Sequence, residues 1–318
     1  MSLSRREFFA GAAAFGLAAT QMRAAAAKSP FRLAVINDEI SPDFEHSCSV
    51  IANDFGFSWI ELRSMWGKNV TDLDSAQIAE AVKILAKYKL RVTDIASPLY
   101  KVDFLGAPKS KESRRDEFQA KADFAKQDAL LDHCIDLSKA FGTDRIRCFD
   151  FWRLDDVKPY RPAINEILVK GAERCAKSDI KLVIENEMAC NTGTGEEAAA
   201  ILAQIPNKNF MLNWDAGNAA TFAGATPFPD QYAKLPKNRI GHCHVKDTIR
   251  KDAGKYEWRP VGGGIIDWPG QFAALKRDGY TYGVSLETHW HGPNGPEAST
   301  RESMTGMKAA LTKAGIAC

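Results

Sequence analysis

From Phe31 onward the chain repeats one pattern: a short, nearly continuous apolar run rich in Val, Ile and Leu, then a longer stretch whose apolar positions have helical spacing. The runs fall at 31–36, 58–62, 91–96, 145–149, 181–184, 210–213, 240–245 and 282–286. Continuous rather than alternating runs are what strands covered on both faces of a parallel sheet look like. Between them lie amphipathic segments, among them 75–88 with Ile78, Val82 and Leu85, and 114–141 with Phe118, Phe124, Leu130, Leu131, Ile135 and Leu137. Strand then helix, eight times in roughly 290 residues, predicts a single (β/α)8 TIM barrel of the α/β class. A doubly wound sheet would favour a glycine-rich turn after the first strand, whereas residues 37–42 read Asn-Asp-Glu-Ile-Ser-Pro. The run Gly262-Gly263-Gly264 follows no strand directly and lacks the Lys-Ser/Thr of a phosphate loop, so it reads as a plain loop.

The first 27 residues break this pattern. Ser4-Arg5-Arg6-Glu7-Phe8-Phe9 leads into Ala- and Gly-rich apolar residues through Ala19 and then the small residues Ala24 to Ala27. A positive start, a short apolar stretch and a small-residue exit predict a secretory signal, and the paired arginines followed by x-Phe resemble the twin-arginine type. The expectation is that residues 1–27 are removed and 28–318 form the barrel in the periplasm. The full chain carries 42 Lys and Arg against 40 Asp and Glu, a net +2; without the leader there are 39 of each. A neutral chain with no basic run is a poor match for nucleic acid. No apolar run reaches the roughly 18 residues of a membrane span, so the mature protein is expected to be soluble, with homo-oligomers left open. The seven cysteines form no C-x-x-C pair and read mainly as buried small hydrophobes, with one or two disulfides left open.

Barrel enzymes build their sites at the C-terminal ends of strands. Four consecutive runs close there on a polar residue: Glu185, Asp215, His244 and Glu287. An apolar strand that ends in an acid strands a charge near the barrel mouth, and a divalent cation resolves that cost. Three carboxylates and one imidazole are a mainly hard donor set, suited to one Mn²⁺ or Mg²⁺ ion, with Co²⁺, Fe²⁺ or Zn²⁺ open. Trp66, Trp152, Trp258 and Trp290 fall in loops at the same mouth, as faces for sugar rings or as loop anchors. His242 is expected inside the barrel beside His244, and His289 and His291 flank Trp290 as substrate contacts or supports.

The motifs Ile184-Glu185-Asn186, Asp215-Ala216-Gly217-Asn218, His244-Val245-Lys246-Asp247, Val261-Gly262-Gly263-Gly264-Ile265-Ile266-Asp267-Trp268 and Leu286-Glu287, with Trp59-Ile60-Glu61-Leu62 earlier, carry a resemblance. From Phe31 to the C-terminus the chain resembles the sugar phosphate isomerase/epimerase family of xylose isomerase-like TIM barrels. The resemblance implies that Glu185, Asp215, His244 and Glu287 hold the metal, that Glu185 and Glu287 act as base and acid, and that Arg250 binds substrate. Arg250 or Lys246 would neutralise the developing oxyanion. The substrate shell departs from the family: Glu187 stands where histidine is frequent, Gly263 where an acid is frequent, and Asn218 and Asn191 where the epimerases have a histidine and a glutamate. Lys246, His242, Glu187, Trp152, His289 and Arg250 make up the expected carbohydrate contacts. The implied activity is a metal-dependent ketose epimerase or aldose–ketose isomerase working through an enediolate. The alternatives are a lyase or hydrolase that cleaves a C–O bond β to a carbonyl, as in a 3-keto-glycoside, and a catalytically silent periplasmic sugar-binding protein. A related DNA-repair endonuclease with three zinc ions would need more than the six histidines present, two of which, His46 and His133, fall on predicted helices.

Overall fold

The computed structural model describes residues 29–110, 123–251 and 255–318. The leader expected over 1–27 and part of the helix expected from residue 114, Phe118 included, lie outside the described residues. Eight parallel strands pair around one sheet in chain order: β1 (Arg32–Val35), β2 (Trp59–Leu62), β3 (Arg91–Leu99), β4 (Arg145–Cys148), β5 (Lys181–Glu185), β6 (Phe210–Asp215), β7 (Ile240–Val245) and β8 (Gly283–Leu286). β1 pairs with β8, and a parallel bridge between Ile36 and Glu61 joins β1 to β2, so the barrel nearly closes. The strands are followed by helices α1 (Phe44–Ser49), α2 (Ser75–Tyr88), α3 (Gln127–Phe141), α4 (Arg161–Ala176), α5 (Gly195–Gln204), α6 (Ala216–Ala220), α7 (Trp268–Arg277) and α8 (Pro296–Lys313).

Local sequence sets these limits. α2 begins on a reciprocal capping box between Asp74 and Gln77, which satisfies two otherwise unpaired amides. Its buried stripe is Ala81, Ile84 and Leu85, with Val82 38% exposed, so the stripe is rotated from the one expected through Val82. α3 stops at Gly142, whose φ of 67° suits a residue without Cβ.

The strand interior departs from the apolar reading. Outward residues such as Ile184, Leu212, Trp214, Val284 and Leu286 join the apolar layer beneath the helices. Inward residues include Arg145, Arg147, Asn213, His242, His244 and Ser285, all buried, as the two-residue period of a strand requires. They are held by hydrogen bonds across the barrel: Arg145 Nε donates to the Gly241 carbonyl at 2.8 Å, and Arg147 Nη2 to that of Ala96 at 3.1 Å. Six cysteines are buried with free thiols, and Cys318 is exposed. Among the described residues no helix is long and apolar enough to cross a membrane.

Candidate functional site

Asp215 and His244 face each other in register on β6 and β7, while Glu185 closes β5 and Glu287 follows β8. One ligand atom from each of the four residues lies within 4.8 Å of the others. His244 Nδ1 is the centre: Glu185 Oε1 lies 3.3 Å away, Asp215 Oδ2 3.6 Å and Glu287 Oε2 3.3 Å. Behind the ring, Glu61 Oε1 sits 3.0 Å from His244 Nε2, and Glu61 Oε2 sits 2.9 Å from His242 Nε2. With Nε2–H given to Glu61, the Nδ1 lone pair faces three carboxylate oxygens. The Lys246 ammonium offsets two of these oxygens, and the remaining negative charge around Nδ1 calls for a proton on Nδ1 or a divalent cation. The donor set therefore fits a metal, with Glu61 orienting the imidazole as outer carboxylates do for metal-bound histidines. Burial alone would lower the His244 pKa, but Glu61, Glu185 and Glu287 outweigh it and hold the value well above the ordinary 6.5.

Each carboxylate divides its two oxygens. Asp215 Oδ1 caps α6 by accepting from Asn218 N at 2.7 Å, which leaves Oδ2 for His244 and the Lys246 ammonium, 2.8 Å away. Glu185 Oε1 also accepts from Asn218 Nδ2 at 3.1 Å, and Oε2 accepts from Arg147 Nη1 at 3.0 Å. Glu287 Oε2 meets Lys246 Nζ at 2.5 Å, and its Oε1 meets Arg63 Nη1 at 3.1 Å and His289 Nε2 at 3.2 Å. Burial pushes the Glu185 carboxyl up, yet His244 and Arg147 bring it down to about 2. Glu287, opposed by Lys246, His289 and His244, is likewise held well below 4.5 despite its burial.

Asn186 stitches the floor, accepting from Asp215 N and donating to Asp215 O, both at 2.8 Å. Asp247 takes backbone N–H bonds from Thr248, Gly262, Gly264 and Ile266. A Cβ on Gly264 would collide with that carboxylate, so the glycine run wraps Asp247, as a loop rather than a phosphate cradle.

A cavity of about 510 Å³ opens over Glu185 and Glu287. Glu187, His289, Trp290 and His291 line it, and so do Arg63 and Lys101, which the sequence reading had not singled out. Four expected substrate contacts do not line the cavity themselves. His242 is fully buried between Glu61 and Ser285. Trp152 is buried, its backbone bridges that of Cys190, and its ring lies behind the cavity wall with its centroid 5.5 Å from Lys101 Nζ. Lys246 is buried against the carboxylates with the Trp258 ring 5.4 Å from its ammonium. Arg250 is exposed on a hairpin formed by Asp247–Arg250 and Tyr256–Arg259, where it donates to the Ala225 carbonyl. Asn191 ties down the loop after β4 by donating to the carbonyl of Asp150 at 2.7 Å and accepting from Leu154 N at 2.9 Å. His46 and His133 sit on α1 and α3, far in sequence from this site, and His46 pairs with Glu297.

No curated protein matches the chain significantly. Among solved structures it is similar to a xylose isomerase-like TIM barrel protein from Mycobacterium smegmatis in complex with magnesium (16% identity, TM-score 0.65, covering 90% of this chain and 98% of that one). It is also similar to a probable 3-DHS dehydratase from Bacillus anthracis (19%, 0.65, 89% and 99%) and to a D-allulose 3-epimerase from Methylomonas sp. (17%, 0.63, 90% and 98%). At these identities the likeness concerns the fold. A family profile described as xylose isomerase-like TIM barrel matches residues 50–310, and the chain belongs to that family.

Proposed function

We propose that this protein is a divalent-metal-dependent sugar epimerase or isomerase that moves a proton at the carbon next to a carbonyl. The observation that carries this reading is the paired arrangement of Glu185 and Glu287: both line the cavity, and each turns one oxygen toward His244 Nδ1 and the other toward an arginine. Glu185, Asp215, His244 and Glu287 would hold the ion. When bound, a divalent ion polarises a ligated carbonyl and makes the adjacent C–H more acidic. Mn²⁺ and Mg²⁺ suit this oxygen-rich set best.

Glu185 and Glu287 come from separate strands, so substrate carbon held between them has one carboxylate on each side. One, ionised, takes the substrate proton as base, and the other, entering the step protonated, delivers its own proton as acid, so the two exchange protonation states. Return to the same carbon on the opposite face inverts it, and return to the former carbonyl carbon moves the carbonyl. Arg147, Arg63 and Lys246 fix the carboxylates in position between turnovers. Export through residues 1–27 would place this chemistry in the periplasm and favour an unphosphorylated sugar.

A second reading draws on His289, which lines the cavity 3.2 Å from Glu287 Oε1. A proton donor there suits expulsion of an oxygen β to a carbonyl, so a 3-keto-glycoside would lose its aglycone after the same first step. Incubating metal-loaded protein with D-fructose in D₂O tests the main reading by deuterium at the carbon next to the carbonyl. Glu185→Gln and Glu287→Gln should each abolish that exchange, and retention in both variants rejects the assignment. Aglycone release from a 3-keto-glycoside without exchange into the ketose selects the second reading. Metal binding with neither outcome selects a sugar-binding protein.

A further inference from the structure

Three cations line the cavity, and their hydrogen-bond capacity differs. Arg63 spends its donors on Asp38, Glu39 and Glu287. Arg147 spends its donors on Ser97 O, Ala96 O and Glu185. Lys101 is different. Its residue is only 9% exposed, it lines the cavity, and among the described residues its ammonium makes a single ionic approach, 3.6 Å from Glu187 Oε2. That separation is too long for a hydrogen bond. Among the described residues no acceptor takes a hydrogen bond from Lys101, so its N–H groups are left for a ligand in the cavity.

The surroundings define what would satisfy it. The Phe149 ring, also in the lining, lies with its centroid 4.7 Å from Lys101 Nζ. Glu187 uses Oε1 on Ala189 N at 3.2 Å, leaving Oε2 open toward Lys101. The backbone delivers this geometry on purpose-built turns: Tyr100 adopts a φ of 63°, rare outside glycine, and its N–H is held by Gln127 Oε1 at 2.6 Å. Lys101 follows immediately, just past the end of β3, and Glu187 lies two residues past Glu185.

Resting on the reading of the site as a sugar-converting centre, we propose that Lys101, Glu187 and Phe149 form a subsite that grips a vicinal diol of an uncharged polyhydroxylated substrate. One hydroxyl accepts from the Lys101 ammonium and its neighbour donates to Glu187 Oε2, while the buried Phe149 ring backs the ammonium and holds it in place. A donor and an acceptor slightly too far apart to bond each other are spaced to take one hydroxyl each. The charge balance selects a neutral ligand over an anion. In the lining and the metal set six carboxylates (Asp38, Glu39, Glu185, Glu187, Asp215, Glu287) stand against three cations (Arg63, Lys101, Arg147); Lys246, paired with Asp215 and Glu287, adds a fourth, and a divalent ion brings the total to neutrality. A substrate carboxylate at Lys101 would meet Glu187 with no net positive field to hold it.

The test is binding to the metal-loaded protein, by ligand-observed NMR titration, of D-fructose and of the matched pair methyl β-D-glucopyranoside and methyl β-D-glucuronide. The wild type should bind the neutral ligands in preference to the glucuronide. Lys101→Met and Glu187→Gln should each weaken neutral-ligand binding at least about tenfold, the loss of one hydrogen bond to a charged group, with metal content and thermal midpoint unchanged. Wild-type affinity in Lys101→Met makes the pair a structural ion pair and overturns the subsite. So does tighter binding of the glucuronide that is lost in Lys101→Met, and so does the absence of any binding to the wild type. Solvent exchange separates the two claims. Lys101-dependent binding without deuterium exchange leaves the subsite and removes the enolising reading, whereas exchange with an unchanged KM in Lys101→Met does the reverse.

Discussion

The two cavity-facing carboxylates are built into different surroundings. Glu185 closes a barrel strand and its side chain is 2% exposed, and its arginine, Arg147, projects from the neighbouring strand with each of its three nitrogens bonded to a strand carbonyl or to Glu185 itself. Glu287 lies just past β8, and its partners are Lys246 from the floor together with Arg63 and His289, whose side chains are 21% and 36% exposed. One flank is part of the barrel core, and the other is part of the mouth. Packed strand residues hold position and charge, while rim residues can exchange partners with a ligand or with water. The first flank should therefore govern stability and the second access and proton exchange, even though both glutamates take part in the same proposed transfer.

The largest effect tests what the flanks share. Glu185→Gln and Glu287→Gln should each lower proton exchange by about 10²–10⁴-fold, and a large loss in only one of them breaks the symmetry of the proposed roles. The next effect tests how they differ. Arg147→Met leaves a buried carboxylate without its partner and should cost about 3–5 kcal/mol of stability in urea denaturation. Arg63→Met should cost clearly less in the same measurement while still depressing turnover; equal losses would dissolve the distinction. Glu61→Gln, which loosens the ring of His244, should weaken metal affinity about 10–100-fold, measured by competition with a chelator.

The smallest effect is on acid stability. Glu185 is held at about 2 against an ordinary 4.5. A depressed carboxylate contributes stability fully above its unfolded value and loses it as the pH falls through its folded value. The window thus runs from about 4.5 down to about 2. Arg147→Met should shift the acid-unfolding midpoint upward, with Arg63→Met moving it less, as followed by circular dichroism.

The barrel and the convergence of Glu185, Asp215, His244 and Glu287 were legible because both rest on strong local signals. Eight apolar runs gave the strands, and an acid or histidine at a run's end is an expensive residue that advertises a purpose. Glu61 and Arg147 carried the same signal less openly. An acid inside Trp-Ile-Glu-Leu and two arginines in Arg-Ile-Arg-Cys mark inward positions of a polar barrel, but the runs were read as apolar throughout. Lys101 and Arg63 were not legible, since loop residues reach the cavity only through turns such as the one at Tyr100. Arg250 and Trp152 show the converse. The resemblance set Arg250 at the substrate, but the hairpin anchored by Asp247 leaves it exposed at Ala225; Trp152, expected in a mouth loop, is buried beside Cys190 and reaches the cavity only through Lys101, 5.5 Å from its ring.

The centre on which all of this depends can be tested without knowing the substrate. Elemental analysis of the protein after loading with Mn²⁺ or Mg²⁺ and exhaustive dialysis should find one divalent ion per chain. In buffers of different ionisation enthalpy, calorimetric titration should show release of a proton, because His244 gives up the Nδ1 proton that the three carboxylates otherwise hold. The ion should be lost in the double variant Asp215→Asn, His244→Asn. A wild-type chain that retains no divalent ion, or a double variant that retains it in full, would contradict the account.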